Sequence, residues 1–315
     1  MKRRKLGNSG IEVYPLAFGG NVFGWTVDEP MAFRLLDAFV DAGFSLIDTA
    51  DVYSRWVPGH SGGESETIIG KWFQRSGKRE KVVIATKVGK EMGPDRKGLS
   101  KSYILHAVED SLKRLQTDHI DLYQSHADDP ETPLEETFEA YAQLIKEGKI
   151  GAIGASNYTA KRLSEALRAS QNKGYPAYQS LQPLFNLYDR GDYERELEPL
   201  CRENGLGVIC YFPLASGFLT GKYRSEADTD KSARRDIVKK YMNDRGFRIL
   251  EVLDQVAQKH NATAARVALA WLIDRPGITA PIASATDLNQ LNELIAATRL
   301  KLDWASMKLL NEASA

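Results

Sequence analysis

The sequence has 315 residues, 43% of them hydrophobic, with 42 basic and 42 acidic side chains and a formal net charge of zero. This length suits two ordinary domains or one large α/β barrel of about 250 residues, and the balanced charge argues against a dedicated nucleic-acid binder. Only two cysteines, no apolar stretch after the basic N-terminus and no run of about 18 apolar residues predict a cytoplasmic protein without a disulfide framework, signal peptide or membrane span.

Strands and helices are predicted to alternate along the chain. Residues 4–13 are predicted to form a β-hairpin with the turn Gly7-Asn8-Ser9-Gly10. Eight short apolar segments follow as predicted strands, at residues 16–20, 44–48, 82–86, 120–123, 150–154, 178–181, 207–211 and 279–282. Apolar residues at helical spacing predict helices at residues 30–42, 64–74, 100–115, 134–146, 160–170 and 193–204, and on both sides of the last strand.

This alternation favours a single (β/α)8 TIM barrel over residues 1–315, with the N-terminal β-hairpin closing its bottom. The alternative is a doubly wound open sheet, which is disfavoured because no GxGxxG follows the first predicted strand. Residues 216–243, after strand seven, are predicted to form a long loop. Its position places it on the face where such barrels keep their active sites.

Four chemically different side chains stand at or just after the C-terminal ends of predicted strands. Asp48 and Tyr53 belong to the end of strand two, Lys87 to strand three and His126 to strand four. Because parallel strands bring these ends to one face, the four groups are expected to form a proton-transfer site. Tyrosine has a reference pKa of about 10, and a nearby lysine cation, held by Asp48, favours the phenolate and makes Tyr53 a better acid.

Several other residues are explained by ordinary structural roles. The remaining histidines show no metal-ligand spacing, so no metal site is predicted. Trp56 is explained equally well as a wall of the substrate pocket or as ordinary apolar surface. The charged run at residues 231–240 is interpreted as a solvated face.

The chain resembles the aldo-keto reductases over nearly its whole length. The stretches that carry the resemblance are GFSLIDTADVY (43–53), ATK (85–87), GAIGASN (151–157), LQP with FN (181–186), YFPL (211–214) and GFLTGK (217–222). The details, including Gly63-Glu64-Ser65-Glu66, are similar to the bacterial branch related to potassium-channel β subunits. The resemblance implies NADP(H)-linked reduction of small aldehydes, ketones or sugars, or the reverse reaction, without a metal.

The same resemblance implies the roles of the site residues. Tyr53 is the proton donor, Lys87 lowers its pKa, Asp48 pairs with Lys87 and His126 orients the carbonyl. Ser156, Asn157 and Gln182 bond the nicotinamide amide, Tyr211 stacks on its ring, and residues 216–222 lie over the pyrophosphate. The implied coenzyme-binding set is Gly20, Asn21, Asp48, Ser156, Asn157, Gln182, Tyr211, Phe212, Pro213, Leu214, Ser216, Gly217, Leu219, Lys222, Ser284, Thr286, Gln290 and Glu293.

The segment after strand eight departs from the family pattern. NADP(H)-preferring relatives generally carry lysine or arginine there, whereas residues 283–290 contain no cation and one acid, Asp287. We therefore expect NADP(H) with weak discrimination and real use of NAD(H), unless Arg224, Arg234 or Arg235 supplies the charge from the long loop.

Two functions of different classes are compatible with these residues. The first is a carbonyl reductase acting on a small carbonyl or sugar substrate, with no nucleic-acid or membrane partner and with the oligomeric state left open. The second is a coenzyme-binding, redox-sensing regulatory subunit with slow turnover. A third, a barrel with a non-redox activity, is disfavoured by the four polar residues together with the expected nicotinamide site.

Overall fold

The computed structural model describes residues 2–230 and 233–315. Met1 and two residues of the predicted long loop, Lys231 and Ser232, lie outside these ranges. The chain begins with an antiparallel hairpin of β1 (Arg4–Lys5) and β2 (Glu12–Val13). Its buried side chains, Leu6 and Val13, pack in one cluster with residues of the barrel strands such as Leu46 and Leu122. The hairpin therefore closes one end of the barrel, as predicted.

Eight parallel strands form the barrel wall in chain order. They are β3 (Ala17–Gly19), β4 (Leu46–Asp48), β5 (Val83–Val88), β6 (Ile120–Ser125), β7 (Ile150–Ser156), β8 (Ser180–Gln182), β9 (Gly207–Val208) and β10 (Ile282–Ala283). β10 pairs with β3, and it also meets the β9 segment, where the N–H of Ile282 donates to the carbonyl of Cys210 (2.9 Å). The sheet thus closes on itself, which confirms the TIM barrel and excludes the open doubly wound sheet.

Helices cover the outside of the barrel. They are α1 (Glu29–Asp41), α2 (Glu64–Ser76), α3 (Lys101–Leu115), α4 (Leu134–Lys146), α5 (Ala160–Lys173), α6 (Glu198–Glu203), α7 (Arg235–Lys239), α8 (Asp244–Lys259), α9 (Ala264–Ile273), α10 (Leu288–Ala297) and α11 (Trp304–Ala313). α3 begins where its cap predicts, since the Ser100 hydroxyl accepts from the N–H of Tyr103 (3.3 Å). Among the described residues, no helix has the length and apolar character that crossing a membrane requires.

The segment after β9 is more regular than the predicted loop. It contains two 3₁₀ turns, Ala215–Thr220 and Glu226–Thr229, followed by α7. Phe218 and Tyr241 are buried and stack at 5.7 Å between ring centroids, which ties the two ends of the segment together within the hydrophobic core. The sequence did not predict these turns because they are short and their charged residues lack helical periodicity.

Candidate active site

The ends of neighbouring strands bring the four predicted side chains together. Asp48 is the last residue of β4 and stands opposite Ala85 of β5. Lys87 stands opposite Gln124 of β6, and His126 follows that strand directly. Tyr53 lies in the loop after β4, and its side chain turns back toward the strand ends.

The ammonium of Lys87 is the centre of this group. Its Nζ lies 2.8 Å from Asp48 Oδ2, 2.8 Å from the Tyr53 hydroxyl and 2.8 Å from the carbonyl of Thr49. These contacts match the three N–H donors of a lysine ammonium. The Tyr53 hydroxyl in turn donates to Asp48 Oδ2 at 3.2 Å. The phenol is therefore held between a cation and an anion.

Gln182 completes the polar contacts of the aspartate. Its Nε2 donates to Asp48 Oδ1 at 2.9 Å and to Gln124 Oε1 at 3.2 Å. Both carboxylate oxygens of Asp48 thus have partners, as a buried charge requires. Gln182 is buried and lies at the end of β8, so four strands contribute side chains to this network.

Burial governs the protonation states of the phenol and the lysine. It raises the pKa of Tyr53 well above its ordinary value, and Asp48 raises that pKa further. Burial also lowers the pKa of Lys87, while the Asp48 carboxylate opposes that shift. The lowering of the Tyr53 pKa that we expected from Lys87 is thus outweighed in this structure. The phenol keeps its proton near neutral pH, which is the form that donates.

His126 is a neutral imidazole beside this group. Burial lowers its pKa well below the ordinary value, and Lys87 and Lys90 add to the effect. Its ring centroid lies 6.0 Å from that of Tyr53, and its Nδ1 is buried without a hydrogen-bond partner among the described residues. A neutral imidazole can donate one hydrogen bond and accept another, which suits it to contact a bound polar group.

A cleft of about 890 Å³ opens from these residues. Its volume is in the range of small-molecule and cofactor sites. The predicted residues that line it are Asn21, Asp48, Tyr53, His126, Ser156, Asn157, Gln182, Tyr211, Phe212, Pro213, Leu214, Ser216, Gly217, Lys222, Ser284, Thr286, Gln290 and Glu293.

Three predicted residues do not line the cleft. Lys87 is fully buried and lies behind the Tyr53 hydroxyl. Leu219 is a core residue with no exposed surface. Gly20 is buried where a Cβ atom would stand 2.9 Å from Ser65 Oγ and 3.1 Å from the carbonyl of Asp48. The absence of a side chain at Gly20 thus lets the backbone pack under the site.

The polar groups in the middle of the cleft are linked to one another. Asn157 Nδ2 donates to the carbonyl of His126 at 2.8 Å, and Asn157 Oδ1 accepts from the Tyr211 hydroxyl at 2.8 Å. Ser156 Oγ donates to the carbonyl of Gln182 at 2.9 Å. Asn157 has a left-handed backbone with φ of 56°, a conformation that asparagine tolerates better than most residues. These contacts hold this wall of the cleft in place, including the ring of Tyr211.

The turn after β9 fits an anionic ligand. Phe212, Ala215, Ser216 and Gly217 all have positive φ, from 47° to 98°, and such strained backbone tends to occur at functional sites. Turns of this kind can direct backbone N–H groups into an anion-binding concavity. Ser216 Oγ is buried there without a hydrogen-bond partner among the described residues, and Lys222 also lines the cleft. The Ser216 hydroxyl and the Lys222 ammonium are thus donors suited to an anionic group.

The far end of the cleft is held by contacts within the loop after β10. Gln290 Nε2 donates to Thr286 Oγ1 and to Asp287 Oδ2, each at 2.8 Å. Glu293 pairs with Arg266 and accepts from Thr263 Oγ1. The Gln290 donors are therefore already engaged, and Arg266 is paired with the Glu293 carboxylate.

The three arginines considered for this end differ in their positions. Arg224 pairs with Asp254 at 2.8 Å, and Arg235 pairs with Asp230 at 3.1 Å. Only Arg234 of the three lines the cleft, where its guanidinium lies 5.4 Å from the centre of the Trp25 ring. That contact places Arg234 beside the loop between β3 and α1, which contains Trp25.

Several residues that line the cleft were not predicted as site residues from the sequence, or their role was left undecided. They are Val22, Thr26, Trp56, Lys90, Thr220, Tyr223, Ala233, Arg234, Thr263, Ala265, Ile282, Ala283 and Leu294. Trp56 is 48% exposed and its ring lies 6.1 Å from that of Tyr53, which favours a pocket wall. The signal for Lys90 was its position two residues after the end of β5, the strand that carries Lys87. Within residues 2–230 and 233–315, no cluster of three or more His, Cys, Asp or Glu is arranged to hold a metal ion.

Comparison with known proteins gives matches along the whole barrel. The model of the aldo/keto reductase family matches residues 15–315. An uncharacterized oxidoreductase of Bacillus subtilis, YrpG, is 38% identical, covering 99% of this chain and 95% of the relative. A probable voltage-gated potassium channel subunit beta of Arabidopsis thaliana is 33% identical over 93% and 90% of the two chains. The aldo-keto reductase yakc [NADP(+)] of Schizosaccharomyces pombe is 31% identical over 98% and 90%.

Proposed function

This chain belongs to the aldo/keto reductase family, and we propose that it is a carbonyl reductase that uses a nicotinamide coenzyme. It reduces small aldehydes, ketones or sugars to alcohols, or catalyses the reverse oxidation. The observation that carries the proposal is the set of 2.8 Å contacts from buried Lys87 to Tyr53 and Asp48 at the floor of an open cleft.

Tyr53 is the proton donor in this proposal. Its hydroxyl keeps a proton near neutral pH because burial and Asp48 raise its pKa. Lys87 holds the hydroxyl in place and stabilises the negative charge that develops on its oxygen as the proton leaves. Asp48 fixes Lys87, and neutral His126 offers a ring nitrogen to the substrate oxygen. The four residues therefore provide a positioned proton for a carbonyl oxygen.

The cleft beyond Tyr53 is assigned to the coenzyme, which supplies the hydride when it is bound. In this proposal Ser156, Asn157 and Gln182 hold the amide of its nicotinamide ring, and Tyr211 contacts the ring face. Ser216 and Lys222 hold its pyrophosphate in this proposal, which is supported by the Ser216 hydroxyl having no hydrogen-bond partner among the described residues. NADP(H) is the first choice because the fission-yeast relative carries NADP(+) in its name.

A second candidate function follows from the similarity to a potassium channel subunit beta. In that case the same cleft would hold a coenzyme whose redox state is sensed, and turnover would be slow. The two functions share the binding site and differ in rate.

The test is a coenzyme-consumption assay with NADPH and NADH against a panel of aldehydes, ketones and sugars, with the alcohol product quantified. We expect multiple turnovers and equal amounts of oxidised coenzyme and alcohol. Tight coenzyme binding with less than one turnover across the panel would contradict the reductase and favour the regulatory subunit.

A further inference from the structure

Lys90 is a cation at the substrate end of the cleft, the part bordered by Tyr53, Trp56 and His126. We propose that Lys90 binds an anionic group, a carboxylate or a phosphate, on the carbonyl substrate. The preferred substrate is then an aldehyde or ketone with an apolar body and an acidic substituent. This inference rests on the proposed reductase function and specifies the substrate of the same site.

The charges that line the cleft leave Lys90 without a compensating partner. Two carboxylates line it, and each has its own cation, because Asp48 pairs with Lys87 and Glu293 pairs with Arg266. Lys90 makes no hydrogen bond or ion pair with another of the described residues. The neighbouring acid in the chain, Glu91, is turned to Arg55 at 3.5 Å.

The carboxyl group that acts most strongly on Lys90 is buried Asp51. Asp51 is 2% exposed and both of its oxygens lack hydrogen-bond partners among the described residues. Burial, with a further contribution from Glu66, raises the pKa of Asp51 to about 8. With a pKa of about 8, Asp51 is mostly protonated at neutral pH, and it makes no ion pair with Lys90 among the described residues, so it compensates the charge of Lys90 only weakly.

A lysine carries its charge at neutral pH unless it is deeply buried, and Lys90 is an exposed residue. Burial lowers its pKa, and Asp51 opposes that shift, but a lysine starts from a pKa of about 10.4. Its side chain is exposed at the cleft surface, so it can reach a ligand. Its charge also acts on His126, whose pKa it helps to lower. The cation is thus close to the group that contacts the substrate oxygen.

The apolar part of the proposed substrate is suggested by the aromatic side chain of Trp56, which also lines the cleft. Trp56 presents a half-exposed ring next to Tyr53 and packs edge-on against Trp25 at 5.6 Å. An aromatic wall favours a flat apolar body, and an ammonium forms strong charge-assisted hydrogen bonds with carboxylate or phosphate oxygens. Together these groups select an anionic, preferably aromatic, carbonyl compound.

The experiment compares 4-carboxybenzaldehyde with its neutral methyl ester, and 4-formylphenyl phosphate with both. The measured quantity is the ratio of kcat/KM for each anion to that for the ester. Loss of one charge-assisted hydrogen bond predicts that Lys90→Met lowers this ratio by about ten- to a hundredfold. Lys90→Arg should keep most of the ratio, and added salt should lower the wild-type ratio. Comparison between variants cancels the intrinsic reactivities of the aldehydes.

Lys97→Met is the matched control, because Lys97 is an exposed lysine of the same loop that does not line the cleft. Its ratio should equal that of the wild type. The larger of the two anion ratios identifies carboxylate or phosphate as the preferred group. An unchanged ratio in Lys90→Met would overturn the inference while reduction of the ester still supported the reductase. No reduction of any aldehyde by coenzyme-bound protein would overturn both.

Discussion

Lys87 and Asp48 form an ion pair in the interior of the barrel, with 2.8 Å between Nζ and Oδ2 and side-chain exposures of 0% and 2%. Buried pairs of this kind contribute little net stability, because desolvation offsets their attraction. Each charge nevertheless needs the other, and the pair positions the Tyr53 hydroxyl at the cleft. The pair is thus better explained by the chemistry of the site than by the stability of the fold.

Tyr53→Phe should remove carbonyl reduction and leave coenzyme affinity nearly unchanged. Only the hydroxyl is lost, and general acid catalysis contributes roughly 10²–10⁴-fold to a rate. The measurements are kcat/KM for one good aldehyde and coenzyme binding by fluorescence titration. Tyr175→Phe, which removes an exposed hydroxyl bonded to Glu139, is the control. Turnover at the wild-type rate in Tyr53→Phe would show that another group donates the proton.

Lys87→Met should reduce both activity and stability. It leaves the Asp48 carboxylate buried without its cation, and breaking a buried pair costs about 3–5 kcal/mol in the free energy of unfolding. Asp48→Asn combined with Lys87→Met removes the stranded charge, so the double variant should be more stable than Lys87→Met alone but no more active. Urea unfolding of the three proteins measures this. Equal stability of the single and double variants would contradict the pairing.

Asp51→Asn should change how stability depends on pH. The folded pKa of Asp51 is raised to about 8 from its ordinary 3.8, so the folded state holds a proton that the unfolded chain releases. Wild-type stability contributed by this group is complete below pH 3.8 and is lost as the pH rises toward about 8. The variant lacks this loss, so its stability relative to the wild type should increase across that window.

The measurement for Asp51 is the free energy of unfolding at several pH values from 5 to about 9, since linkage sets the slope. Asp95→Asn, a change at an exposed aspartate in the loop after β5, provides the control. Parallel stability curves for the wild type and Asp51→Asn would mean that Asp51 is ionised in the folded protein at neutral pH.

The sequence predicted the barrel because its strands and helices have clear patterns. The helix predicted at 134–146 is α4 (Leu134–Lys146), and predicted strands at 120–123 and 150–154 lie within β6 and β7. Strand seven was predicted to reach residue 211, but β9 ends at Val208 and the chain soon turns through Phe212 at φ of 52°. Local propensity could not indicate that turn, which belongs to the loop that lines the cleft.

The site was predictable where its residues follow strand ends, as for Asp48 and Lys87. Lys90 was not predicted as a cleft residue, and Arg234 was only one of three candidate arginines, because both positions depend on how loops fold over the barrel. The upward shift of the Tyr53 pKa was also not predicted. Burial is the largest cause of that shift, and burial depends on the packed structure. The raised pKa of Asp51 was likewise not predicted, because in the sequence Asp51 was only part of the motif around Tyr53.

Coenzyme choice is the last prediction, and it depends on the loop after β10. Gln290 is engaged with Thr286 and Asp287, and Arg266 is paired with Glu293. A 2′-phosphate needs a compensating cation or several donors, so we expect the kcat/KM ratio of NADPH to NADH to stay below about a thousand.

Two variants test whether charge at this loop limits the preference for NADPH. Thr286→Arg adds a cation, and Glu293→Gln releases Arg266 from its carboxylate. Because one charge-assisted hydrogen bond contributes roughly 1.5–3 kcal/mol, each should raise the NADPH to NADH ratio by about tenfold or more. Glu251→Gln, an exposed change on α8, should leave the ratio unchanged. A wild-type ratio above about a thousand, unaltered by Thr286→Arg, would mean that another cation already meets the phosphate. Arg234, which lines the cleft, would then be the first residue to replace.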